Sequence, residues 1–82
     1  MNANLAHADL SHSVLNFADL ESADLSHADL TNAVLWGPDL GNADLSEATL
    51  TGVSSQRIQG TPTALPAGWQ LSDGTLIPPS TS

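Results

Sequence analysis

Residues 18–50 read Ala18-Asp19-Leu20-Glu21-Ser22-Ala23-Asp24-Leu25-Ser26-His27-Ala28-Asp29-Leu30-Thr31-Asn32-Ala33-Val34-Leu35-Trp36-Gly37-Pro38-Asp39-Leu40-Gly41-Asn42-Ala43-Asp44-Leu45-Ser46-Glu47-Ala48-Thr49-Leu50. Leucine stands at every fifth residue, and the series extends back through Leu15 and Leu10 to Leu5. Two places before most of these leucines sits alanine, from Ala3 and Ala8 onward, with Ser13 and Pro38 as the exceptions. Asp or Asn usually fills the place between. A helix does not accommodate this pattern. At about 3.6 residues per turn, a five-residue step rotates roughly 140° and scatters the leucines around the helix. Asp, Asn and Ser are also weak in helix interiors.

Three-residue strands do accommodate it. In Ala-Asp-Leu the first and third side chains point to one side and the second to the other. The next two positions, often Ser, Thr, Asn, His or Gly, suit a bend. Each repeat is then a short wall and a corner, with Ala and Leu inward and Asp outward. A spacing of twenty aligns the irregularities: Val14 with Val34, where Asp is missing, and His7 with His27. Four repeats per turn would stack such pairs at about 4.8 Å, with backbone hydrogen bonds between coils.

Over residues 3–52 this pattern resembles the pentapeptide-repeat family, in which Ala-Asp/Asn-Leu is followed by two variable residues. The resemblance implies an all-β, right-handed, four-sided (quadrilateral) β-helix solenoid with leucines stacked along its axis. The handedness comes from the resemblance alone. The expected division is a repeat β-helix over 1–60 and a C-terminal capping segment over 61–82. In that segment Asp73-Gly74 is a hairpin turn signal between Gln70-Leu71 and Thr75-Leu76-Ile77. Leu65, Trp69, Leu71, Leu76 and Ile77 are expected to form a lid on the leucine stack, or else the segment folds back over a wall. No lid is expected at the other end. The Leu5 layer would present an open edge, which invites a second copy, another protein, or the remainder of a longer chain.

The chain has 82 residues, no Cys, and a formal net charge of -8 from nine acids and one cation, Arg57. Such a balance argues against nucleic acid or an anionic membrane as partner. No bilayer-spanning apolar stretch and no signal peptide are visible, so a cytoplasmic protein is the default expectation. Without cysteine, no disulfide contributes to so small a core.

Sorting the outward positions by wall separates one side from the other three. One wall shows Asn4, Asp24 and Asp44; the next Asp9, Asp29 and Thr49; a third Asp19 and Asp39. The remaining wall shows Val14 and Val34, with Phe17 and Trp36 at its corners and Arg57 on its continuation. An outward apolar cluster of this kind marks an interface. Val14, Phe17, Val34, Trp36 and Leu5 are therefore the candidate partner-binding residues. The Asp columns are expected to hydrogen-bond nearby backbone and keep the rod soluble.

Catalytic chemistry finds no foothold. Side chains radiate from a convex rod, with no cleft, no Lys or Tyr and no glycine-rich phosphate loop. No catalytic residue and no cofactor is assigned. His7, His27 and Glu47 share one corner column and are the only candidate metal ligands, and each His would have to bring a nitrogen to about 2.0–2.1 Å of an ion. The expectation is a non-enzymatic structural or protein-interaction module, self-associating or a decoration-type subunit of a larger assembly. One alternative is an acidic DNA mimic that inhibits or protects a topoisomerase such as gyrase. At about 12 Å of stack it would match only three to four base-pair steps. A second alternative is a weak metal-binding module.

Overall fold

The computed structural model describes residues 4–79, so Ala3 of the first repeat and Ser80–Ser82 of the tail lie outside the described residues. These residues are all-β, with short strands and no helix. Bridges join each outward position to the one twenty residues on, always in parallel. Asn4 pairs with Asp24, Asp24 with Asp44, and Asp44 with Ala64; Asp9 pairs with Asp29, and Asp29 with Thr49. A third ladder joins Val14 to Val34, and a fourth Asp19 to Asp39 and Asp39 to Gln59. The third ladder continues as the parallel pair β1 (Val34–Trp36) and β2 (Ser54–Gln56), with Val34 opposite Ser54. A twenty-residue register thus holds on all four ladders. The backbone pairing also runs past residue 60, because Leu45 donates to the Ala64 carbonyl at 3.0 Å.

Between ladders the chain bends in the same way each time. The residue two after each inward station from Leu5 to Ser55 has positive φ, from His7 at 63° through Phe17 at 61° to Arg57 at 56°. The N–H of the next residue closes the bend onto the leucine carbonyl, as in Ala8 to Leu5 at 3.0 Å and Ala28 to Leu25 at 3.1 Å. Positive φ in the third residue of such a turn is the type II requirement, usually met by Gly or Asn. Here only Gly37, Gly52, Asn32 and Asn42 supply those residues. The rest accept a left-handed conformation that disfavours a Cβ by about 1–2 kcal/mol. Those of the first two coils are held from outside: His7 donates to Ser26 O, Phe17 to Trp36 O and Ser22 to Gly41 O, at 2.7–3.0 Å. Inter-coil pairing overrides the local preference.

Inside, Leu25, Leu30, Leu35, Leu40, Leu45 and Leu50 are fully buried, with Ala23, Ala28, Ala33 and Ala43 between them. Pro38 takes the alanine place at no loss of burial; lacking an N–H, it leaves its bend without the closing bond. Leu5, Leu10 and Leu15, in the first coil, are only partly buried. Coils two and three have neighbours on both sides.

At the far end, β3 (Gln70–Ser72) and β4 (Thr75–Ile77) form an antiparallel hairpin through Asp73 and Gly74. Both turn residues have positive φ, at 50° and 76°, the requirement of a two-residue type I′ turn. The hairpin is tied to the last coil by Leu76 N–H to Ser55 Oγ at 2.9 Å and Ile58 N–H to Gly74 O at 2.9 Å. Leu76 is 5 % exposed, and Leu65, Trp69 and Leu71 pack partly buried against the core it joins. Ile77, next along the strand, faces outward and is 43 % exposed, because side chains alternate along a strand. No helix among the described residues is long and apolar enough to cross a membrane.

Candidate functional site

The outward side chains do two different jobs. On the acidic ladders each carboxylate turns back on its own bend. Asp9 Oδ1 accepts from Ser11 N–H at 3.1 Å and Ser11 Oγ at 2.6 Å. Asp24 does the same with Ser26 at 3.0 and 2.7 Å, and Asp29 with Thr31. Asn4, Asp19, Asp39 and Asp44 accept the backbone N–H two residues on. Hydroxyl donation first, and backbone donation second, hold Asp9, Asp24 and Asp29 below the ordinary carboxylate range. For Asp29 the nearby Asp9 charge pushes the other way.

The valine side chains at positions 14 and 34 accept no hydrogen bond, so this wall satisfies its bend differently. The Trp36 N–H donates at 3.1 Å to Asn16 Oδ1, from the coil below. The indole is fixed in turn, its Nε1–H donating to Ser54 Oγ at 3.1 Å on the coil above. Trp36 thereby lies along the wall and remains 43 % exposed, while Val14 is 66 % and Phe17 80 % exposed. Val34 is half-buried, and the described part of the tail leaves the wall uncovered.

The register places Phe17, Gly37 and Arg57 in one corner column. The Phe17 ring leans over Gly37, where a Cβ would meet its Cδ1 and Cε1 at 2.8 Å. Phe17, Trp36, Gly37, Gln56 and Arg57 enclose an open groove of about 180 Å³. Among the described residues Arg57 has no carboxylate within ion-pair distance. Of the candidate partner-binding residues, Val14, Phe17, Val34 and Trp36 thus lie together, whereas Leu5 sits in the first coil, partly buried. Reasoning on composition did not single out Asn16, Ser54 or Gln56. The twenty-residue register is the signal that places them.

A second groove, of about 410 Å³, lies between the last coil and the tail and is lined by Thr51, Gly52, Val53, Trp69, Leu76, Pro78 and Pro79. The corner column of His7, His27 and Glu47 stacks as the register requires. The His7 and His27 rings are parallel within 5° with centroids 4.8 Å apart, and His27 Nε2 lies 3.3 Å from Glu47 Oε2. Ring nitrogens bind metal in the ring plane, and parallel rings offset by a coil do not aim theirs at one point. Among the described residues no three His, Cys, Asp or Glu are arranged to hold a metal ion.

No curated protein matches the chain. A family model described as pentapeptide repeats matches in eight copies, over residues 1–37 and 28–54. That family implies a β-helix type of fold, in keeping with the parallel ladders, and is consistent with a non-enzymatic interaction module. With the match covering well over half of its length, the chain belongs to the pentapeptide-repeat family.

Proposed function

We propose that this chain is a non-enzymatic protein-interaction module that associates through its Val14–Val34 wall, with its own kind or as a small subunit of a larger assembly. At finer grain, the fold is a right-handed quadrilateral solenoid. Four ladders at one register and a left-handed residue at every fifth place support the four sides, and the family supports the hand. The segment from residue 61 acts as the cap of that solenoid. Buried Leu76 and its bond to Ser55 support this reading.

One observation carries the functional reading. Three ladders display carboxylates and amides engaged with their own backbone, while the fourth displays exposed Val14, Phe17 and Trp36. An apolar cluster on so small and acidic a rod has a use as an interface and a cost in solubility otherwise. The convex surface, with outward groups spent on bends, gives catalysis no converging set of groups.

Sedimentation equilibrium over a wide concentration range tests this directly. The expected result is a dimer or larger species that Trp36→Asp disperses while far-ultraviolet circular dichroism keeps its β signature. Dispersal absent in Trp36→Asp, or a wild-type chain that stays monomeric and captures no partner through this wall, would remove the reading.

A further inference from the structure

The wall carries its features in an order that suits a second copy turned end for end. Along the corner column, from the first coil to the third, stand Phe17, Gly37 and Arg57; along the ladder beside it stand Val14, Val34 and Ser54. Phe17 is the most exposed large apolar side chain described, and the groove over Gly37 lies one coil further along. At about 180 Å³ that groove is below the roughly 300–1,000 Å³ of sites for drug-sized ligands. It has room for one aromatic side chain. Its near wall is the chain's own Phe17 ring, which covers Gly37, its side is the hydrogen-bonded Trp36 indole, and its far rim is Arg57.

We propose that two copies pair antiparallel, wall against wall, about a two-fold axis at the level of Gly37, and that each lays the exposed face of its Phe17 ring into the other's groove, between that copy's own Phe17 and Arg57. This rests on the self-associating form of the reading above and fixes its geometry. A two-fold axis perpendicular to the rods and through the second coil maps coil one onto coil three of the partner copy. Position 17 then faces position 57, 14 faces 54, and 34 faces 34. Coils stack at about 4.8 Å, so Phe17 at the first level reaches the space between the second and third levels of the opposite copy. There its ring meets the Arg57 guanidinium, a cation–π contact made twice by symmetry.

Charge selects the same arrangement. At net -8, two copies repel unless their acids are kept apart. Any pairing through another wall would set columns of Asp against one another: Asp24 and Asp44, Asp9 and Asp29, or Asp19 and Asp39. The Val14–Val34–Ser54 ladder alone carries no acid, and it borders the chain's one cation. An antiparallel pair places that cation on an aromatic face; a parallel pair about an axis along the rods would move Arg57 to the opposite corner of the wall. One wall three coils tall is a small contact, below the roughly 1,200–2,000 Å² of standard interfaces, so a weak reversible dimer is expected.

The absence of cysteine makes the geometry testable by cross-linking. Val14→Cys and Ser54→Cys chains, mixed and treated with a short bis-maleimide, are expected to form the 14–54 heterodimer at least tenfold faster than either homodimer. Val34→Cys alone should cross-link to itself. In parallel, Phe17→Asn and Arg57→Asn should each raise the dimer dissociation constant roughly tenfold or more, and the double variant little further, since one contact is lost. Asn is chosen because it tolerates positive φ, so circular dichroism should not change. Dimers that cross-link 14 to 14 and 54 to 54, or that ignore all these positions, would overturn the antiparallel pair while leaving self-association standing. A wild-type chain monomeric at every concentration, including one that binds an unrelated protein by this wall, would overturn it outright.

Discussion

Asp29 and Val34 stand at the same station of consecutive repeats, and their surroundings differ in one instructive way. Asp29 closes its own bend, accepting from the Thr31 N–H and hydroxyl two residues on. Val34 closes nothing, and the equivalent N–H, on Trp36, is taken by Asn16 from the coil below. An acidic repeat is therefore locally self-sufficient at its corner, while the valine repeat depends on its neighbour. The same exchange frees the outward station from backbone duty. A wall relieved of that duty is the one with surface left over for a partner. The Asp columns, which repel along each ladder, are explained by turn chemistry and need no ligand.

The largest effect should be the one that does not respect this difference. Leu30 and Leu35 lie under the two kinds of wall and are both fully buried. Leu30→Ala and Leu35→Ala should each cost about 2–5 kcal/mol in urea unfolding, enough to unfold so small a chain. Leu15→Ala, on the valine ladder but in the half-covered first coil, should cost less. A cheap Leu35→Ala beside a costly Leu30→Ala would mean that the valine wall is not packed on the common core.

Next comes the borrowed bond. Asn16→Ala strands the Trp36 N–H and should cost about 1 kcal/mol. Val34→Asp should supply an acceptor within the repeat, two residues before Trp36, and so make Asn16→Ala nearly silent. That double variant sharpens the comparison, because simple additivity would show that Asn16 acts by some route other than capping. Val34→Asp should also disperse any assembly held by the wall, as a carboxylate would then stand between Val14 and Ser54.

Much of this was legible in the residues. The leucine period excludes a helix, and the twenty-residue spacing alone puts Val14 over Val34 and His7 over His27. Other features were not legible, for identifiable reasons. The ladder continues to Ala64 because backbone pairing needs no leucine, so the end of the side-chain pattern at Leu50 does not mark the end of pairing. His12, Phe17 and His27 adopt positive φ against their own preference, since inter-coil bonds impose it. Ile77 turned outward because hairpin alternation gives the interior to Leu76. Asn16 looked like any corner residue; only the missing acid at Val34 marks where its amide is needed.

Acid should separate the two kinds of wall by a smaller margin. Asp9, Asp24 and Asp29 are held below their ordinary 3.8 by hydrogen bonds made in the folded chain. A folded value below the unfolded one contributes stability that is present above about 3.8 and is lost as pH falls through the folded value. Unfolding midpoints should therefore drop as the pH falls below 3.8. Ser11→Ala and Ser26→Ala should shrink that drop, while Val34→Ala leaves it unchanged. A midpoint that rises on acidification would show that repulsion along the Asp columns outweighs the corner caps.

The smallest effect concerns the corners themselves. Ser22 sits at φ 60° on an acidic side, where glycine would be unstrained. Ser22→Gly removes a left-handed penalty and loosens the unfolded chain, two terms of similar size and opposite sign. The net should be a gain of no more than about 0.5 kcal/mol. Phe17→Gly is the matching change on the valine wall, at φ 61°. It should relieve the same strain, and its ring is largely exposed, so monomer stability should change by as little. Association should respond to Phe17→Gly alone. If both variants destabilise the monomer by more than about 1 kcal/mol, the inter-coil bonds at these residues fix the corner so firmly that glycine's freedom counts only in the unfolded state.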